Sequence, residues 1–173
     1  MRRFKSACRL QKRPLNLRGF VFYNPKVNEV KPVKIYLASP FFNEYELSCV
    51  KRAEELLLSR GFELFSPRLH EVRDKDVVGM AQWSRETFLN DRKYIDWADI
   101  VVMLYHGAYS DSGTAWEAGY ACGKGKPVVA VHVVGESSNL MIHESACANI
   151  TLDELETYDF NALPHKAYEG KMF

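Results

Sequence analysis

From Val33 onward the apolar residues follow two rhythms. "VKIYLASP", "FELFSPR", "DIVVMLYH" and "KPVVAVHV" are short, nearly continuous apolar runs of the length expected for strands buried on both faces. Between them the apolar positions recur every three or four residues. In "NEYELSCVKRAEELLLSRGF" Leu47, Val50, Ala53 and Leu57 mark one face of an amphipathic helix, and Gly61 supplies its stop. "MAQWSRETFLNDRKYIDWA", near residues 80–98, predicts a second helix, and "DSGTAWEAGYACGKGKPVV" opens with a third. A further helix near Ser138 to Cys147 precedes "ANITLDEL", which reads as a short last strand and turn. Strands alternating with helices predict an α/β, flavodoxin-like, doubly wound sheet of about five mostly parallel strands with helices on both faces. Residues 33–173 read as a single domain and residues 1–32 as a basic N-terminal extension.

Charge sharpens that division. Residues 1–34 carry ten Lys/Arg and one Glu, whereas the remainder carries 13 basic and 21 acidic residues, a net charge of −8. A net acidic domain is a poor match for a phosphate backbone, so no nucleic-acid polymer is expected as a partner. No apolar run reaches membrane-spanning length, so no membrane partner is expected. The four cysteines show no C-x-x-C spacing and the five histidines no metal-ligand spacing, which predicts no metal site, no disulfide framework and a reducing, cytoplasmic setting. The Arg-rich, acid-poor start reads first as a disordered basic tail or a misassigned start; it also has the composition of an organelle-targeting segment, although it shows no clear amphipathic helix.

Ligands of open parallel sheets bind outside the carboxyl ends of the strands. The segments leaving those ends are "SPFFNE", "SPRLHE", "HGAYSDSG" and "VGESSNLM", polar and aromatic stretches suited to a small polar ligand. Neither G-x-G-x-x-G nor G-K-[ST] is present, which argues against a dinucleotide or nucleoside-triphosphate site. Three carboxylates stand out. Glu117 has Gly113, Thr114, Tyr120 and Ala121 as its helical neighbours, none of them a cation. Asp91 shares its helical face with Thr87, Phe88 and Ile95, so it points inward or into a cleft. Asp111 precedes a helix, where capping free N–H groups is its default role. Trp116 reads by helical phase as a packing residue turned away from Glu117. A buried carboxylate without a partner is rare unless chemistry requires it.

"KIYLASPFF", "NDRKYIDWADIVV", "DSGTAWEAGYACGKGKPV" and "NLM", in this order, together with "YDFNALPHKAYEGKMF", resemble the nucleoside 2-deoxyribosyltransferases. The D-x-G-x-x-x-E-x-G run at 111–119 is the most specific element, and the resemblance begins near Lys34. It implies an enzyme that transfers a 2-deoxyribosyl group between nucleobases by a retaining double displacement, with 2′-deoxynucleosides and free nucleobases as substrates and no cofactor. By the same resemblance Glu117 matches the nucleophile, its ionised form favoured by the nearby helix N-terminus, and Asp91 matches an aspartate facing the base. Asp111 matches a sugar-hydroxyl ligand and Tyr36 a tyrosine beside the nucleophile. Phe41 and Phe42 are placed to stack on the base. Asn139 matches a residue that reaches the sugar 5′-hydroxyl of a neighbouring subunit, which implies a homohexamer built from dimers with shared active sites. Arg68 and His70 are weaker candidates for shaping the base pocket.

Two other functions fit the same fold. One is an N-glycoside hydrolase of nucleosides or nucleotides with water as acceptor; Asp111 would repel a nucleotide's phosphate. The other is a nucleoside-binding module without catalysis, which gives no reason for an isolated Glu117.

Overall fold

The computed structural model describes residues 31–107, 110–135 and 137–173. Apart from Lys31 and Pro32, the basic extension lies outside the described residues, as does Cys8.

Five strands, β1 (Lys34–Ala38), β2 (Glu63–Phe65), β3 (Ile100–Tyr105), β4 (Val128–His132) and β5 (Ala148–Thr151), form one sheet in the order β2-β1-β3-β4-β5. Every pairing is parallel, as in Tyr36 opposite Val101 and Met103 opposite Ala130. The connecting helices are α1 (Glu44–Ser59), the short α2 (Lys75–Val78), α3 (Met80–Trp97), α4 (Ser112–Gly123) and α5 (Leu140–Ser145).

The period-two geometry of a strand explains why the runs are apolar throughout. Ile35 and Leu37 of β1, with Val102 and Leu104 of β3, pack against Val50, Ala53 and Leu57 of α1. Their neighbours Tyr36, Ala38, Val101 and Met103 face the opposite way, toward Ile95 of α3 and Ala118 and Ala121 of α4. Local chemistry sets the ends of α1. Asn43 accepts from the Glu46 N–H at 2.9 Å while the Glu46 carboxylate accepts from the Phe42 N–H at 2.8 Å, a variant of the capping box. At the other end the Phe62 N–H reaches the Leu57 carbonyl and the Gly61 N–H the Leu58 carbonyl, with Gly61 at φ 81°. That is a Schellman stop, and it confirms the glycine reading.

The order 2-1-3-4-5 places the topological switch between β1 and β3, whose chains leave the sheet in opposite directions. Two pieces went unforeseen. α2 lies between the predicted second strand and second helix, its signals being Asp74, which caps it, and Gly79, which ends it at φ 81°. The second is the buried Glu54 on α1. It accepts from Ser66 Oγ at 2.6 Å and is ion-paired to the Arg68 guanidinium, which follows β2 on a single 3₁₀ turn, Pro67–Leu69. Glu54 is 3% exposed, so removing its cation leaves a buried charge without compensation.

Arg68→Met should therefore lower the unfolding free energy by about 2–3 kcal/mol in urea titrations. An unchanged unfolding midpoint with impaired catalysis would instead give Arg68 a role in the cleft.

Candidate active site

Helix α4 follows β3. Asp111 caps it, accepting from the Thr114 N–H at 2.8 Å and from Thr114 Oγ1 at 3.2 Å. Gly113 stands where a Cβ would come within 2.8 Å of Asp111 Oδ2, so a side chain there would displace the cap. One turn further on, Glu117 reaches down to the end of β1, where the Tyr36 hydroxyl donates to Glu117 Oε1 at 2.7 Å. Tyr36 is fully buried and stacks on Phe65 with ring centroids 5.5 Å apart; Phe65 in turn stacks on Tyr94 of α3 at 3.8 Å. A strand, two helices and an aromatic stack thus fix the position of a single carboxylate oxygen.

Asp91 faces Glu117 from α3. Both line a cavity of about 460 Å³ whose other walls include Trp83, Phe88 and Trp116. A second cavity of about 300 Å³ adjoins it, sharing Trp83, Thr87 and Asp91 and lined further by Phe41, His70, Glu71 and Asn90. Asp91 is thus common to an apolar chamber holding Glu117 and a more polar one.

Burial governs the charges. It pushes Asp91 up to about 6. It pushes Glu117 up to about 8, with the Asp91 and Asp111 carboxylates adding to the rise and the Tyr36 hydrogen bond opposing it. Burial, then the Glu117 and Asp91 carboxylates, hold the Tyr36 phenol well above its ordinary range, so it stays a donor. The expectation that the helix N-terminus keeps Glu117 ionised is corrected by this arrangement. Glu117 lies in the second turn of α4, past the first turn to which the dipole's influence is confined, and desolvation wins. Between about pH 6 and 8 the two carboxylates together hold one proton.

The other candidates fall at different distances from this centre. Phe41 lines the polar chamber, and Phe42 stacks on it at 5.6 Å while remaining 76% exposed. Asn139 caps α5, accepting from the Met141 N–H at 2.9 Å; it lines neither chamber of its own chain. Arg68 likewise lines neither chamber, its guanidinium being held by Glu54. His70, by contrast, lies on the wall of the polar chamber and stacks on Phe65 at 4.7 Å. Trp116 corrects its sequence reading. It lines the same chamber as Glu117, 46% exposed, stacked on Tyr120 at 5.3 Å and tilted against Phe88 at 5.3 Å. Helical phase turned it from Glu117 but not from α3, whose approach forms the other wall. A larger cavity, about 620 Å³, lies over the ends of β4 and β5; its carboxylate Asp153 is ion-paired to Arg52. Among the described residues no three His, Cys, Asp or Glu side chains gather as a metal set, and no helix is long and apolar enough to cross a membrane.

The protein is thus an α/β protein whose doubly wound sheet carries two carboxylates in one apolar chamber. Comparison with known proteins supplies the family. Residues 35–151 match the family model for nucleoside 2-deoxyribosyltransferase. The chain is 43% identical to a solved 2-deoxyribosyltransferase from Bacillus psychrosaccharolyticus, with a TM-score of 0.73 over 79% of this chain and 99% of that one. It is 34% identical over 95 residues to a nucleoside deoxyribosyltransferase of Lactobacillus johnsonii, covering 53% of this chain and 64% of that protein, a little under two thirds of its length. A nucleoside deoxyribosyltransferase of Limosilactobacillus fermentum is 27% identical over 143 residues, 78% of this chain and 85% of its own. The chain belongs to the nucleoside 2-deoxyribosyltransferase family.

A carboxyl whose folded pKa is raised destabilises the fold as pH climbs, because the unfolded chain ionises first. For Glu117 that loss begins near its ordinary 4.5 and is complete above about 8. Glu117→Gln keeps an oxygen for the Tyr36 hydroxyl and removes the titration. Differential scanning calorimetry should show it melting about 4 °C above wild type at pH 8.5 and level with it at pH 4.5. A gain that is the same at both values would contradict the burial argument.

Proposed function

We propose that the chain transfers the 2-deoxyribosyl group between nucleobases through a covalent adduct on Glu117. The observation that carries this reading is the 2.7 Å hydrogen bond from Tyr36 to Glu117 Oε1 inside a chamber that Glu117 shares with Asp91. Tyr36 engages one oxygen and orients the other toward the chamber. That oxygen bonds to the anomeric carbon as the carbon–nitrogen bond to the base breaks. The bonding pair leaves on the base nitrogen, which takes a proton from Asp91. An incoming base then attacks the same carbon, the carbon–oxygen bond breaks, and its electron pair returns to Glu117. The new base gives its proton back to Asp91. Two inversions give retention. Water attacking the adduct instead yields slow hydrolysis when no acceptor is present.

The proton count suits this chemistry. The pair holds one proton in the neutral range, and the reaction needs it on Asp91 with Glu117 ionised. A base nitrogen bound against Asp91 accepts a hydrogen bond from the protonated form and draws the proton there, which frees Glu117. Asp111 flanks Glu117 with a carboxylate suited to sugar hydroxyls and unsuited to a phosphate, which favours nucleosides over nucleotides. Phe41 and Phe42 supply aromatic faces for the base. The absence of Asn139 from its own chain's chambers supports its service to a neighbouring subunit, in a homo-oligomer built from dimers and reaching a hexamer. A cytoplasmic setting is supported by the free thiols of Cys49, Cys122 and Cys147.

Incubation with deoxyinosine and adenine should yield deoxyadenosine by chromatography. Glu117→Ala should lower the rate by about 10⁴-fold or more while the protein stays folded. No deoxyadenosine from the folded wild type would refute transfer.

The pH dependence follows from the pair. Wild-type kcat/KM should be bell-shaped with limbs near pH 6 and 8, falling on the acid side when Glu117 and Asp91 are both protonated and on the alkaline side when both are ionised. Asp91→Asn should cost about 10²–10⁴-fold and leave only the rising acid limb, because its residual activity needs just an ionised Glu117. An alkaline limb that persists in Asp91→Asn would assign the general acid elsewhere.

A further inference from the structure

Asn139 is held by an element that the transfer chemistry does not otherwise use. Residues 166–173 run back along α5 and the sheet edge as a strap. The Ser138 N–H donates to the Lys171 carbonyl at 2.9 Å, the Phe173 N–H to the Ser138 carbonyl at 3.1 Å, and the Leu140 N–H to the Phe173 carbonyl at 3.4 Å. The strap thus pairs with the residues on both sides of Asn139. Asn139's own N–H donates to the Tyr105 hydroxyl at 3.0 Å, which pins it to the end of β3.

Two side chains anchor the strap. The Tyr168 ring stacks on His132 at 4.6 Å and 23°, and on His143 of α5 at 4.9 Å and 25°. Gly170 lets the chain pass the phenol, since a Cβ there would overlap the Tyr168 ring. Asn149, 5% exposed, is the second anchor. Its amide nitrogen donates to the His143 carbonyl at 3.0 Å and the Lys166 carbonyl at 3.4 Å, while its oxygen faces His132 Nε2 at 2.9 Å. That amide orientation sets the proton of a neutral His132 on Nε2. Strand β4, helix α5 and the strap therefore meet at one buried amide.

We propose that residues 166–173 are a positioning strap for Asn139, anchored by Tyr168 and Asn149, and that they set the affinity of the site for the 5′-hydroxyl of the sugar. The proposal rests on the reading that Asn139 meets that hydroxyl. Neither anchor touches substrate; both act through the backbone of residues 138–140.

The test compares two donors, 2′-deoxyinosine and 2′,5′-dideoxyinosine, with adenine as acceptor. Asn139→Ala should raise KM for deoxyinosine by about tenfold, the loss of one hydrogen bond, and leave the dideoxy donor unchanged. Removing residues 171–173 should do the same, and the combined variant should be no worse than Asn139→Ala alone. Gly170→Ala, which displaces Tyr168 and keeps the whole chain, should shift KM in the same direction by a smaller factor. Amide hydrogen exchange should accelerate at 138–142 in both strap variants and stay unchanged in β4. Equal losses with the two donors, or losses that add to Asn139→Ala, would make the strap merely structural and overturn the proposal. Unchanged KM in both strap variants despite faster exchange at 138–142 would overturn it as well. If Asn139→Ala itself fails to distinguish the donors, the sugar contact falls and the strap's role falls with it, while transfer through Glu117 stands.

Discussion

A hydrogen bond from a fully buried tyrosine to a half-buried glutamate organises this molecule. Tyr36 belongs to β1 and Glu117 to α4, which follows β3, so their 2.7 Å contact closes only if β1, β3 and α4 are in register. The aromatic stack of Tyr36, Phe65 and Tyr94 ties the same contact to β2 and α3. The site is therefore a property of the core. Its geometry is as rigid as the packing beneath it, which suits the nucleophilic role proposed for Glu117.

That rigidity has an energetic consequence. Two carboxylates enclosed by Trp83, Phe88 and Trp116 are held with raised proton affinity, and each ionisation works against the fold. Those raised affinities suit the proposed transfer, whose leaving-group chemistry needs one acid and one base from the same pair. In the proposed transfer a shared proton provides both, and the bound base decides which carboxylate holds it. Tyr36 moderates the arrangement by favouring the anion on Glu117, and its own proton affinity lies too high for it to lose its proton in exchange.

Much of this was legible in the sequence. The continuous apolar runs gave the parallel sheet, because strands buried on both faces need apolar residues at every position. Asp91 could be placed because it falls on the apolar stripe of α3, and Glu117 because its helix offers it no cation. Longer-range effects were not visible. Glu54 carries no sign of burial in its own helix, and only the approach of Ser66 and Arg68 shows why it is buried. Trp116 was judged from the phase of its own helix, whereas the chamber wall forms between two helices. The protonation of Glu117 followed from burial, which no local pattern reports. The anchors Tyr168 and Asn149 join β4, α5 and the strap across separations that match no helix or strand period, so their spacing carried no signal.

The central claim is that Glu117 bonds covalently to the sugar. The direct measurement is intact-mass analysis followed by peptide mapping, after incubation with a slow 2-fluoro-2-deoxyribosyl donor and no acceptor base. The account predicts a single added sugar on the peptide containing Glu117, abolished in Glu117→Gln and discharged when adenine is supplied. A sugar mapped to another residue, or turnover of the donor with no adduct at any time, would contradict it.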